Sequence, residues 1–146
     1  IGSNLEIDLN AIGKPAVLLF HTQETAEQAA VVNSSLRAQD EYKNCDSLFI
    51  ANIVDLHSVP KLFRGFAEKA MKESYEKAAA SLPPNVDPAS MVLILPDWDG
   101  SVTKTFGLKD TNKTAAIAVL DPVGNLVGVY QGESAEVNAL ALLKKV

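Results

Sequence analysis

The chain has a single cysteine, Cys45, among its 146 residues, and that scarcity closes off several chemistries at once. An internal disulfide, a CxxC redox pair and a cysteine-rich zinc site each need at least two thiols. A lone thiol is tolerated inside and outside the cytosol, so the compartment stays open. No basic stripe is present either. The 13 Lys and Arg are outnumbered by 18 Asp and Glu in short mixed runs, giving a net charge of −5; nothing is arranged to neutralise phosphates, and nucleic acid is not an expected partner. No apolar run approaches the roughly 20 residues that span a bilayer, and no basic, apolar, small-residue leader opens the sequence. The first residue is Ile1 and not Met, which leaves room for a signal peptide removed upstream.

What is present is ordinary globular material. Hydrophobic residues make up 47% and charged residues 21%, far from the profile of a disordered chain. A chain of this length hides roughly 70% of the surface its unfolded form exposes, enough for one sizeable core, and a single domain over 1–146 is expected.

Punctuation by Gly13, Lys14 and Pro15 precedes the apolar run 16–20, which reads as a strand buried on both faces. Thr22 and Thr25 offer capping hydroxyls, Glu24 and Glu27 place negative charge near a helix start, and Ala29, Val32 and Leu36 recur at helical spacing, predicting a helix over 24–38. Residues 47–54 read as a second strand, parallel to the first through a right-handed crossover. Val59, Leu62, Phe63, Phe66, Ala67, Ala70, Met71, Tyr75 and Ala78 then mark a long amphipathic helix. Its stripe of Leu62, Phe63, Phe66, Ala70 and Met71 is read as the face packed on the sheet, so that Phe66→Ala is expected to cost about 3 to 5 kcal/mol. The proline-rich stretch 81–88 ends it. A third strand follows at 91–95, a turn at 97–100, one or two helical turns over 101–106, a strand at 115–120, a turn at 121–125 and a strand at 126–130. Ser134 is expected to cap a last helix, with Val137, Leu140, Ala141 and Leu143 inward.

Three segments carry a family resemblance. GKPAVLLF at 13–20 resembles the lead-in to a thioredoxin active site, DWDGSV at 97–102 with FGL at 106–108 is similar to the D-x-x-G-x-V…[FY]-G-[VL] segment of peroxiredoxins, and AVLDPVGNLV at 118–127 resembles the matching hairpin. The chain therefore resembles the thioredoxin-like superfamily in its redoxin or peroxiredoxin-type variant. The resemblance implies an α/β fold: a central mixed sheet of about five strands, ordered 91–95, 48–54, 16–20, 115–120, 126–130, with flanking helices on both faces and 115–120 antiparallel to 16–20.

Counted from Phe20, the two cysteines of a thioredoxin site would fall at Thr25 and Gln28, and the family's cis-proline near Ala115. All three are missing. Scaffold without reagent is similar to the cysteine-free YtfJ-type proteins, and that resemblance implies an exported, periplasmic protein, although a cytoplasmic one remains open.

The residues themselves suggest few alternatives. Thr25 at a helix N-terminus has the dipole's help as a nucleophile, but a threonine nucleophile also needs an adjacent base, whereas a capping threonine needs nothing more; capping is preferred. Cys45, between Lys43 and Asp46, reads as an incidental thiol on the far edge of the sheet. His21 and His57, each at a strand end, with Asp55 and Glu24 nearby, are metal-capable, yet their spacing matches no metal motif. Asp97, Asp99 and Gly100 lack the remaining ligands of a calcium loop and read as a turn. The expectation is a non-catalytic domain, without cofactor, that binds a protein, peptide or small molecule at the former active-site edge: His21, Thr22, Glu24, Thr25, Asp55, His57 and Thr114. These should converge on one partly solvated surface, with Thr22 or Thr25 capping the helix. The alternatives are a thiol oxidoreductase acting through Cys45 and a metal-binding protein using His21 and His57.

Overall fold

A computed structural model describes residues 8–146. The apolar run becomes β1 (Ala16–His21), and every one of its residues is buried. Around it lie β2 (Phe49–Asp55), β3 (Ile94–Asp97), β4 (Ala116–Leu120) and β5 (Leu126–Gln131), in the order β3-β2-β1-β4-β5. β1 pairs parallel with β2 and antiparallel with β4; β2 and β3 are parallel, and β4 and β5 form the antiparallel hairpin. This is the mixed five-stranded sheet, in the spatial order, that the sequence resemblance implies.

Alternation along the strands divides the core in two. On one face Val17, Leu19, Ile50, Ile117 and Val119 meet Ala29, Val32 and Leu36 of α1 (Ala26–Arg37) and Ala135, Ala139 and Leu143 of α5 (Ala135–Leu143). Gly128 belongs to this contact, because a Cβ there would stand 2.6 Å from Leu142 Cδ2. On the other face Ala16, Leu18, Phe20, Ala51, Ile53 and Leu120 are covered by Leu9, Ile12, Leu108 and Phe106, the last at the end of α4 (Ser101–Thr105). Phe20 and Phe106 pack as a tilted ring pair with centroids 5.1 Å apart.

Four expectations are corrected. β3 starts at Ile94, because Met91 closes a short helical turn, α3 (Pro88–Met91); Pro88 suits its first position and Asp87 accepts from the Ala89 amide at 3.1 Å. α5 buries Ala135, Ala139 and Leu143, while Val137 and Ala141 face outward. That helix is apolar on nearly every side, so spacing alone does not choose its inner face. Ser134 precedes it with φ 57° and makes no capping hydrogen bond through its side chain.

The fourth correction is larger. The long helix α2 (Arg64–Ala80), entered through a 3₁₀ turn at Lys61–Phe63, buries Met71 alone. It meets Val54, Leu56 and Ile94 at the β2–β3 side of the sheet, with Ala67 and Tyr75 alongside. Leu62 and Phe66 are 85% and 71% exposed, and Phe63 is 49% exposed. The sequence carries two interleaved apolar stripes. Ala67, Met71 and Tyr75 face the sheet, and Phe66 lies about 140° around the helix from Met71 at 3.6 residues per turn.

Phe66→Ala should therefore shift stability by no more than about 0.5 kcal/mol, whereas Phe20→Ala should cost about 3 to 5 kcal/mol. Urea unfolding of both variants checks this; a comparable loss in each would restore Phe66 to the core.

Candidate functional site

Parallel strands end on the same edge of a sheet, and an antiparallel neighbour begins there. That edge gathers the end of β1 (His21) and the start of α1 (Thr22, Glu24, Thr25), the end of β2 (Asp55, His57) and the loop at 111–115 leading into β4.

Thr25 sits at the N-cap of α1, but its hydroxyl makes no cap bond to the helix. Oγ1 accepts from the Thr22 amide at 3.1 Å and donates to the Thr111 carbonyl at 2.6 Å. Thr111 Oγ1 in turn donates to Asp55 Oδ2 at 3.0 Å. Asp55 Oδ1 accepts from the His57 amide at 3.1 Å and from His57 Nδ1 at 2.6 Å. Thr25, Asp55 and His57 are thus joined through Thr111, which is 2% exposed and which nothing in its local sequence singles out. Gln28 adds a second tie, its Oε1 accepting from the Ala115 amide at 2.9 Å. A proline at that position would have no N–H to offer.

Solvation is uneven along this edge. Thr25 is 2%, Asp55 5%, Thr22 7% and His21 9% exposed: the edge is mostly closed, because its polar atoms are satisfied by one another. Glu24 is exposed and Thr114 half-buried, and the side chain of His57 is 57% exposed. Its hydrogen bonds among the described residues go to Asp55, so Asp55 orients the ring through Nδ1 and leaves Nε2 for another partner. Gly100, with φ 71°, closes against this pair; a Cβ there would lie 3.0 Å from His57 Cβ and 3.3 Å from Asp55 Oδ1. Asp97, opposite Asp55 in the β2–β3 register, is a buried acid that the sequence reading treats only as part of a turn. Its carboxylate accepts from the amides of Val102 and Thr103 and from Thr103 Oγ1, at 3.2, 2.8 and 2.8 Å, so it fixes the start of α4.

The other candidates go separate ways. His21 follows Val17 and Leu19 in alternation toward the α1 face; Nδ1 meets the Thr22 carbonyl at 2.9 Å and Nε2 meets Asn52 Oδ1 at 3.3 Å. Burial lowers its pKa, opposed by those two hydrogen bonds. Glu24 accepts from Thr22 Oγ1, and that bond draws its pKa down. Thr114 lines a shallow cleft of about 440 Å³ with Gln28, Ala115 and Ser134, between α1, the start of β4 and the turn before α5. Cys45 is half-buried in the segment before β2, at the opposite edge of the sheet; Arg37 Nη1 pins that segment by donating to the carbonyls of Tyr42, Asn44 and Leu48. Among the described residues no group of three or more His, Cys, Asp and Glu could hold a metal ion. No helix among them is long and apolar enough to cross a membrane.

Thr111→Val keeps the shape and removes the donor to Asp55; it should destabilise the protein by about 1 to 3 kcal/mol, read by urea unfolding, and a neutral result would mean that Asp55 does not depend on this bond. His21 supplies a pH test. Its folded pKa lies below the unfolded value, so the unfolded chain takes up the proton first, and stability present above pH 6.5 is lost as pH falls toward the folded value. His21→Gln should flatten that part of the stability profile; an unchanged slope would deny His21 the effect.

No family model and no curated protein matches this sequence. Solved structures do. The chain is similar to the exposed lipoprotein thioredoxin of Streptococcus pneumoniae, at 20% identity over 93% of this chain and 87% of that one, with a TM-score of 0.60. It is similar to a thioredoxin-like protein solved in its oxidized form, at 18% identity over 99% and 88%, TM-score 0.60. The N-terminal domain of PilB from Neisseria gonorrhoeae matches at 13% identity over 90% and 76%, TM-score 0.54. With the observed strand order, these likenesses establish that the chain has the thioredoxin-like fold.

Proposed function

We propose that this is a non-catalytic thioredoxin-like domain, a single folded unit, that binds a protein, peptide or small molecule at the edge where its fold would otherwise carry a dithiol. One observation carries the reading. Both positions at which the thiols would stand carry a side-chain oxygen that is already engaged, Thr25 Oγ1 with the Thr111 carbonyl and Gln28 Oε1 with the Ala115 amide. A redox site needs a reactive group presented to its substrate; here the groups bind the facing loop.

The surface left for a ligand is the cleft beside Thr114 and, at the other end of the same edge, the exposed face of His57. The cleft supplies apolar wall from Ala29 and Val32, with Thr114 and Ser134 at its rim. His57 offers an oriented imidazole nitrogen for hydrogen bonding. Cys45 is distant from both in the sheet, at the N-terminal side of β2, which argues against a thiol mechanism at this edge. Export fits the sequence resemblance to YtfJ-type proteins, and a signal peptide encoded upstream of Ile1 would be its direct test.

Insulin reduction and peroxide consumption should stay at background in the wild type and in Cys45→Ser alike. Thiol-dependent turnover that vanishes in Cys45→Ser would overturn the reading. For the binding half, a photo-cross-linking amino acid at position 114 should capture a partner in extract of the native source, and one at the Cys45 edge should not. Equal capture from both positions would remove the edge as the site.

A further inference from the structure

The two edges of the sheet are finished differently. β3 is four residues long, carries Pro96, which has no N–H to offer a neighbour, and has α2 packed on its side of the sheet. β5 is six residues long, and neither a charge nor a proline interrupts it. Along an edge strand alternate amides and carbonyls point away from the sheet, and short length, lysine or proline are the usual guards against a further strand. β5 has none of the three, and among the described residues none of the backbone hydrogen bonds outside the ladder reaches it. The ladder's irregularity, opposite Val119 and Leu120, sits at the start of the strand and leaves 128–131 in regular register. Leu126 and Val129 are 53% and 37% exposed, with no strand on their far side to cover them.

Charge along this edge has a direction. Residues 122–132 include no charged residue, and from there to Val146 the charged residues are Glu133 and Glu136, then Lys144 and Lys145. α5 begins just past the end of β5 and runs back along it, since Leu142 packs where a Cβ of Gly128 would stand. Lys145, whose amide donates to the Leu142 carbonyl at 3.0 Å, lies beyond that contact toward the start of β5. Glu133 thus marks one end of the edge and Lys145 the other, and both are exposed. Acids before a helix and bases after it suit the dipole of α5 in any case. At the surface the same order selects a partner: a strand laid antiparallel on β5 meets opposite charge at both ends only if it, too, is followed by an acid and has a lysine beside its start. A second copy of this chain meets that condition by symmetry.

We infer that the chain forms a two-fold dimer in which β5 pairs antiparallel with β5 of a second copy, joining the two five-stranded sheets into one. The outward amides and carbonyls of each strand are satisfied by the other, Leu126 and Val129 are covered by their counterparts, and Glu133 faces Lys145 of the partner subunit at each end. Glu133 also lines the cleft beside Thr114, so the two-fold places Lys145 of the partner subunit at the rim of that cleft. The dimer does not depend on what the cleft holds.

Sedimentation equilibrium over a dilution series tests it. The wild type should show twice the 15.6 kDa mass of one chain and dissociate on dilution. Val129→Lys, which sets two like charges near the axis, should raise the dissociation constant on the order of tenfold. At low salt Glu133→Lys and Lys145→Glu should each weaken the dimer on the order of tenfold, because the two-fold repeats every change. Combined in one chain, the two reversals should restore wild-type affinity, an outcome that requires the antiparallel self-pairing and not merely an apolar contact. Phe66→Ser, at the exposed start of α2, should dimerise as the wild type does. Circular dichroism matching the wild type establishes that the variants are folded. A wild type that stays at the mass of one chain throughout overturns the inference. So does a dimer indifferent to Val129→Lys, a double reversal that fails to recover, or a dimer that Phe66→Ser dissociates.

Discussion

Everything in this molecule is arranged around a strand that has water on neither side. β1 is buried at all its positions, so it needs a hydrogen-bonded neighbour on each edge and a covered surface above and below. Those demands place β2 and β4 beside it, α1 and α5 on one face, and the α4 end with Leu9 and Ile12 on the other. They also determine where a site can be. The chain leaves β1 at the middle of a sheet edge and turns directly into α1, so the residues of that turn are flanked by the end of β2 and the entry to β4. Any thioredoxin-like chain with a central strand of this kind acquires a three-sided edge before its side chains specify a chemistry.

In this chain the side chains specify closure. Thr25, Thr111 and Asp55 pass hydrogen bonds from the start of α1 through the loop before β4 to the end of β2, and Gln28 binds the same loop a few residues further on. Each neutral bond contributes about 1 kcal/mol net, but leaving a buried partner unsatisfied costs about 1 to 3 kcal/mol. Removal is therefore dearer than formation was favourable, and the set behaves as a clasp. Asp97 does the same for α4 one strand away. Both buried carboxylates are solvated by N–H and O–H donors in place of water, an arrangement suited to holding loops still.

The α2 helix shows the opposite economy. A helix seated by one buried methionine, a few small or partly covered side chains and an arginine on a tryptophan face commits little of its surface to its own sheet. The large apolar side chains that would normally do that work stand in the open, and an exposed contiguous apolar patch ordinarily marks a contact with something else.

The sequence by itself determined the scaffold: strand and helix order, the parallel crossover at the start, the hairpin near the end, the spatial order implied by resemblance, and the lack of a dithiol. These follow from local runs, turn residues and residue types, which are properties of the one-dimensional chain. Tertiary structure decided the rest. Periodicity registers that a helix has apolar stripes but carries no information on which stripe meets the sheet, so Phe66 reads as core while Ala67, Met71 and Tyr75 hold the contact. Candidate residues at the strand ends were legible because parallel strands share an edge; their burial and partners were not. Thr111 lies 86 positions from Thr25 and 56 from Asp55, and a hydrogen bond across such a separation leaves no trace in either segment's sequence. Whether a threonine caps its own helix or ties it to a distant loop depends on which acceptor the fold brings within reach.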